Sequence, residues 1–119
     1  MRLNGKTAIV TGAASGFGAG IARKFAAEGA QVMVVDINHD GAMGMAAELG
    51  NGAFGHVCNV ADGAQVNETV ETALRIMGGV DILVNNAAAN PYYGHILDTD
   101  LIAFSSFILE IFFVKYDRL

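Results

Sequence analysis

The chain is poor in the residues that mark several kinds of protein. One cysteine, Cys58, permits no internal disulfide and fits a reducing compartment. It stands in an expected strand with no metal-ligand spacing around it, so it reads as a buried structural thiol. The one proline, Pro91, lies in an irregular stretch, Asn86–His95, the one long loop of the sequence. Basic residues number seven (Arg2, Lys6, Arg23, Lys24, Arg75, Lys115, Arg118) and form no stripe that would follow a phosphate backbone, which argues against a nucleic-acid partner. The net charge of −5 implies solubility and no particular partner. Long apolar runs are also missing. Thr7–Val10 is too short for a signal-peptide core. Phe104–Val114 contains Glu110 and two serines and falls short of the roughly 20 residues a membrane span requires. His39, His56 and His95 have no metal-binding spacing among them, so we assign them neither a metal nor catalysis. The expectation is a soluble, cytoplasmic protein without membrane or nucleic-acid partners.

The 119 residues suffice for one small domain, and 53% of them are apolar, enough for a buried core. Thr7–Thr11 is a short apolar run stopped by Gly12, as in a strand buried on both faces. A helix is expected from Gly16, with Ile21, Ala22, Phe25 and Ala26 on one face and Gly29 as its stop. Gln31–Asp36 is a second buried strand. His39–Leu49 repeats Ala42, Met45, Ala46 and Leu49 at helical spacing, weakened by about 1 kcal/mol at each of Gly41 and Gly44. Ala53–Asn59 is a third strand. Asp62 caps a third helix that turns Val66, Val70, Ala73, Leu74 and Met77 inward and ends at Gly78-Gly79. Val80–Val84 is a fourth strand. Strands joined by helical crossovers are parallel and the connections right-handed, so the fold class is α/β, an open sheet with helices on both faces.

Two features carry chemistry. Thr11-Gly12-Ala13-Ala14-Ser15-Gly16-Phe17-Gly18 lies where the first strand turns into the first helix. Its glycines let backbone approach a ligand that a Cβ would exclude, and the helix opening offers N–H groups and a positive dipole end to a pyrophosphate. Asp36, at the end of the second strand, stands about 20 residues beyond the loop, the place of a carboxylate that accepts hydrogen bonds from an adenosine ribose. A carboxylate there repels a 2′-phosphate. Neither Ile37 nor Asn38 after it is basic, and Ser15 in the loop is not. The cofactor expected is therefore NAD and not NADP.

The spacing of Gly12, Gly16 and Gly18 resembles the Gly-x-x-x-Gly-x-Gly of the short-chain dehydrogenase/reductase family. Asn85-Asn86-Ala87-Ala88 resembles its Asn-Asn-Ala-Gly, and Asn59-Val60 its Asp-Val pair. The resemblance runs from about Lys6 to Phe104. It implies a Rossmann-like, doubly wound parallel sheet, here partial, with strand order 3-2-1-4 out of about seven strands. Thr11 would brace the glycine loop. Gly12, Gly16 and Gly18 would surround the pyrophosphate with Ser15 and Phe17 beside it, Phe17 toward the nicotinamide. Asp36, with Ile37 next to it, would hold the adenosine ribose. Asn59 and Val60 would contact adenine; Asn59 replaces an aspartate, and its amide oxygen still accepts a bond from the adenine amine. Asn85, Asn86 and Ala87 would line the ribose region and pin the central strands. The glycine spacing and Asn85-Asn86-Ala87 also argue against a Rossmann methyltransferase.

The family's acid/base chemistry uses a serine and a Tyr-x-x-x-Lys, in which the lysine lowers the tyrosine pKa. Tyr92 is followed four positions later by Ile96 and Tyr93 by Leu97, while Tyr116 has no residue at that distance, so no Tyr-x-x-x-Lys occurs. The family's assisting asparagine would fall near Ile111 or Phe112. The expectation is an NAD-dependent oxidoreductase, of a usually homo-oligomeric family acting on alcohol or carbonyl substrates, reduced to its nucleotide-binding part. It lacks catalytic residues and is inactive alone. The alternative is a non-catalytic NAD-binding module or half of a split enzyme. The division expected is 1–104, an incomplete nucleotide-binding domain, and 105–119, a divergent apolar tail produced by a frame change or premature end. A last helix is expected to carry Leu97, Leu101, Phe104, Ile108 and Ile111. Val80–Val84 would then be an exposed apolar edge that invites self-association.

Overall fold

A computed structural model describes residues 2–86 in full and residues 110–117 as backbone. In chain order the elements are β1 (Thr7–Thr11), α1 (Gly16–Ala27), β2 (Gln31–Asp36), α2 (His39–Leu49), β3 (Phe54–Val57), α3 (Gly63–Met77), β4 (Gly79–Asn85) and β5 (Glu110–Asp117). They form one sheet in the order β3-β2-β1-β4-β5. β1 pairs in parallel with both β2 and β4, and β2 with β3.

Alternation along the strands builds two cores. Ala8 and Val10, Val32 and Val34, Ile82 and Val84 face α1 and α2, meeting Ala19, Ala22, Ala42, Met45 and Ala46. Ile9, Met33, Val35 and Cys58 face the other way and meet Ala73 of α3, with Val66 and Met77 partly buried beside them. Because β1 and β2 are covered on both sides, their sequences read as unbroken apolar runs. The helix on α3 differs from the sequence expectation at one position: Val70 is exposed, and Thr69 is buried in its place. The Thr69 hydroxyl can take that place because it donates to the Gln65 carbonyl at 2.8 Å.

Side-chain caps fix the starts of α2 and α3. Asn38 Oδ1 accepts from Gly41 N–H at 3.0 Å. Asp62 Oδ1 accepts from Ala64 N–H at 2.9 Å and Gln65 N–H at 3.3 Å. Asp62→Ala should lower stability by about 1 kcal/mol, read as a lower urea midpoint at constant m-value. At the N-terminal end of the central strands, Thr7 N–H donates to Asp81 Oδ2 at 2.9 Å, and Asp81 N–H donates to Thr7 Oγ1 at 3.2 Å.

Two expectations are corrected at the sheet's far side. The helix expected to carry Ile111 is replaced by strand over Glu110–Asp117; Leu97, Leu101, Phe104 and Ile108 lie outside the described residues. That strand pairs antiparallel with β4, from Asn85 opposite Glu110 to Gly79 opposite Asp117. β4 is therefore not an exposed edge. The physical reason is that β4 presents a row of backbone donors and acceptors that an apolar segment saturates as a strand.

Candidate functional site

Parallel pairing places the C-terminal ends of β1 to β4 at one edge of the sheet, and the candidate cofactor-binding residues among the described residues are at that edge. Thr11 ends β1. Its hydroxyl accepts from Asn86 N–H at 2.8 Å and lies 3.1 Å from the Asn85 amide oxygen, to which it donates. Thr11 thus ties the end of β1 to the end of β4, and holds Asn86, which packs against Gly12 and Gly18 of the glycine loop.

The three glycines divide into two kinds. Gly12 has φ +61°, and a Cβ there would lie 2.0 Å from the Asn86 carbonyl oxygen. A Cβ on Gly18 would lie 2.2 Å from the Gly12 carbonyl oxygen and 2.8 Å from Asn86 Nδ2. Both are therefore required by packing within the protein, around the buried Asn86. Gly16 has φ +58°, and nothing comes within 4 Å of its Cβ position. It is the glycine that faces open space.

The opening of α1 differs from the other two helix starts. Ser15 holds the N-cap position in extended conformation but its side chain makes no capping hydrogen bond, and no acidic residue stands in the first turn. The positive end of this helix is neutralised by no side chain of its own. Asp36 is drawn to the same place. Its Oδ2 accepts from Ala14 N–H at 2.9 Å and its Oδ1 from Asn38 N–H at 3.0 Å. One carboxylate therefore bridges the β1–α1 and β2–α2 turns. Each oxygen retains a second lone pair for a further donor. Phe17 and Ile37, 65% and 69% exposed, place large apolar surface on either turn.

Asn59 follows β3, which is shorter than the strand expected over Ala53–Asn59. Its amide oxygen accepts from Ala61 N–H at 3.0 Å and its own N–H donates to Gln65 Oε1 at 2.8 Å. The oxygen expected to meet adenine is thus already engaged in a local turn, with one lone pair left. Val60 is partly buried against the α3-side core. Ala87 lies outside the described residues, as do Tyr92, Tyr93 and His95. The sequence reading gives Ala14, Asn38 and Gly41 no role of their own in the site. A signal for Gly41 was present, a glycine in the first turn of a helix where it costs stability.

Shifted titrations occur away from this edge. The Arg2 backbone N–H and Lys24 hold the Glu28 carboxyl below its usual range. Arg23, hydrogen-bonded to Glu48, lowers the Glu48 carboxyl and is itself raised. Among the described residues no group of His, Cys, Asp or Glu is arranged to hold a metal, and no helix is long and apolar enough to cross a membrane.

Comparison with known proteins gives this geometry a context. Residues 6–108 match the family model described as short chain dehydrogenase. The chain is 47% identical over 89 residues to D-threitol dehydrogenase of Mycolicibacterium smegmatis, covering 72% of this chain and 34% of that protein. It is 49% identical over 88 residues to galactitol 2-dehydrogenase of Agrobacterium fabrum, covering 74% and 34%. Among solved structures, a hydroxysteroid dehydrogenase from Escherichia coli superposes with a TM-score of 0.67 at 42% identity, over 69% of this chain and 35% of that one. The chain thus spans about a third of the length of these relatives.

Proposed function

This chain belongs to the short-chain dehydrogenase family, and on that premise we propose that its glycine loop and Asp36 bind NAD. The observation that carries the proposal is the Asp36 carboxylate held 2.9 Å from the Ala14 N–H, beside a glycine whose Cβ position is open. The donor set fits the group. The uncapped start of α1, with Ser15, Gly16 and Phe17, suits a diphosphate. Asp36 accepts from the adenosine ribose hydroxyls, and its charge disfavours a phosphate at the 2′ position. Phe17 and Ile37 cover apolar faces of the dinucleotide. Asn59 and Val60 border the adenine, and Asn85, Asn86 and Ala87 the second ribose, while Gly12, Gly18 and Thr11 keep loop and sheet in register. When bound, NAD supplies a hydride acceptor. The nucleotide-binding unit is assigned to residues 1–104, with 105–119 as a further segment.

The activity proposed for the family framework is hydride transfer between NAD and an alcohol or carbonyl substrate. Two relatives are named for sugar alcohols, which makes polyols the first substrates to try. The 119 residues contain no Tyr-x-x-x-Lys, the pair that moves the proton of the alcohol in this family. We expect NAD binding without turnover by this chain alone.

Isothermal titration of the 119-residue chain tests the binding. NAD should bind, and NADP at least about tenfold more weakly, the equivalent of about 1.4 kcal/mol. Equal affinity for both would remove the role given to Asp36. A second reading, half of a split enzyme, rests on the same observation, that these 119 residues contain no Tyr-x-x-x-Lys. Polyol-dependent NADH formation on mixing with a separate chain that carries Tyr-x-x-x-Lys would favour it; NADH formed by this chain alone would overturn both.

A further inference from the structure

We propose that Gly41, in the first turn of α2, is a positioning residue for the nucleotide site: it lets the α2 start approach the glycine loop closely enough to hold Ala14 against Asp36. The inference rests on the NAD reading above and concerns a residue outside the glycine motif.

A Cβ built on Gly41 would lie 2.7 Å from the Ala14 Cβ and 3.2 Å from both Cγ and Nδ2 of Asn38. Carbon atoms do not approach that closely without displacement. The Ala14 Cβ is bonded directly to the backbone, so no side-chain rotation relieves the contact. The glycine loop must move, or α2 must. Either movement acts on one small network. Ala14 N–H and Asn38 N–H each donate to one oxygen of Asp36, and Asn38 Oδ1 accepts from Gly41 N–H itself. Gly41 is therefore where the cap of α2, the glycine loop and the ribose-binding carboxylate meet.

The same helix supplies the control. Gly44 has nothing within 4 Å of its Cβ position. Both glycines lie inside α2, and both would gain helix propensity on replacement by alanine. Propensity alone predicts that Gly41→Ala and Gly44→Ala behave alike. The positioning role predicts that they differ.

Two measurements on the full chain decide it. The first, amide hydrogen exchange of Ala14 in the nucleotide-free protein, does not depend on any ligand. Exchange should quicken several-fold in Gly41→Ala and stay unchanged in Gly44→Ala. The second is the Kd for NAD, which should rise roughly tenfold in Gly41→Ala and be unaltered in Gly44→Ala. Adding Ala14→Gly to Gly41→Ala removes the opposing Cβ and should recover most of the affinity, which a general loss of stability would not do. Unaltered Ala14 exchange and NAD affinity in Gly41→Ala, or no recovery in the double variant, would overturn the inference and leave the NAD proposal standing. Absence of NAD binding by the unmodified chain would overturn the proposed function, and the Gly41 role in binding with it.

Discussion

Gly12→Ala should destabilise the protein by roughly 3 kcal/mol or more. Two costs add at this position. The backbone has φ +61°, which an L side chain occupies at a penalty of about 1–2 kcal/mol. The new methyl would also stand 2.0 Å from the Asn86 carbonyl oxygen, and overpacking of that kind typically costs about 1–3 kcal/mol. Asn86 has little room to retreat, because its N–H is bonded to the Thr11 hydroxyl and the residue is buried. Gly16→Ala is the comparison. It shares the positive φ at +58° but meets nothing within 4 Å, so it should lose only the conformational part. Urea denaturation of the two variants checks this ordering; equal losses would mean that Gly12 is not packed against Asn86.

Asp36→Ala should weaken NAD binding by about 30- to 100-fold, corresponding to roughly 2–3 kcal/mol. The substitution removes the charged acceptor assigned to the ribose. It also releases the Ala14 and Asn38 N–H groups, loosening the turn assigned to the diphosphate. Preference for NAD over NADP should vanish in the same variant, since the repulsion of a 2′-phosphate goes with the carboxylate. Titration of both nucleotides separates the effects. Retained preference for NAD would place the discrimination elsewhere.

Much of this was legible in the residues, for identifiable reasons. β1 and β2 lie between two helical layers, so Ala8–Val10 and Val32–Val35 had to be continuous apolar runs. The ends of α2 fell at His39 and Leu49 as expected, because Asn38 caps one end and Gly50 the other. Asp36 lies against the glycine loop because parallel pairing of β1 and β2 brings their C-terminal ends side by side.

Other features depend on contacts between distant segments and leave no periodic trace. The division of labour among Gly12, Gly16 and Gly18 depends on where Asn86 sits, some 70 residues away. The local turn that engages the Asn59 oxygen depends on the early end of β3. Ile111 fits the end of a helix by spacing but lies in a strand, because the apolar run Ile111–Val114 satisfies both helical and strand spacing. The unpaired side of β4 decides between them by offering a ladder. Hydrophobicity alone places Val70 inward, whereas Thr69 takes the inward position by bonding its own helix.

The central claim is that a dinucleotide is held at the turn shared by Ala14, Gly16 and Asp36. Its most direct test is a map of backbone amide shifts as ADP is added to the 119-residue chain. The account predicts saturating shifts at Ala14, Ser15, Gly16, Phe17, Asp36 and Asn38, with Thr7 and Asp81 at the opposite end of the strands unmoved. Shifts centred on Thr7 and Asp81, or none at saturating ADP, would contradict it.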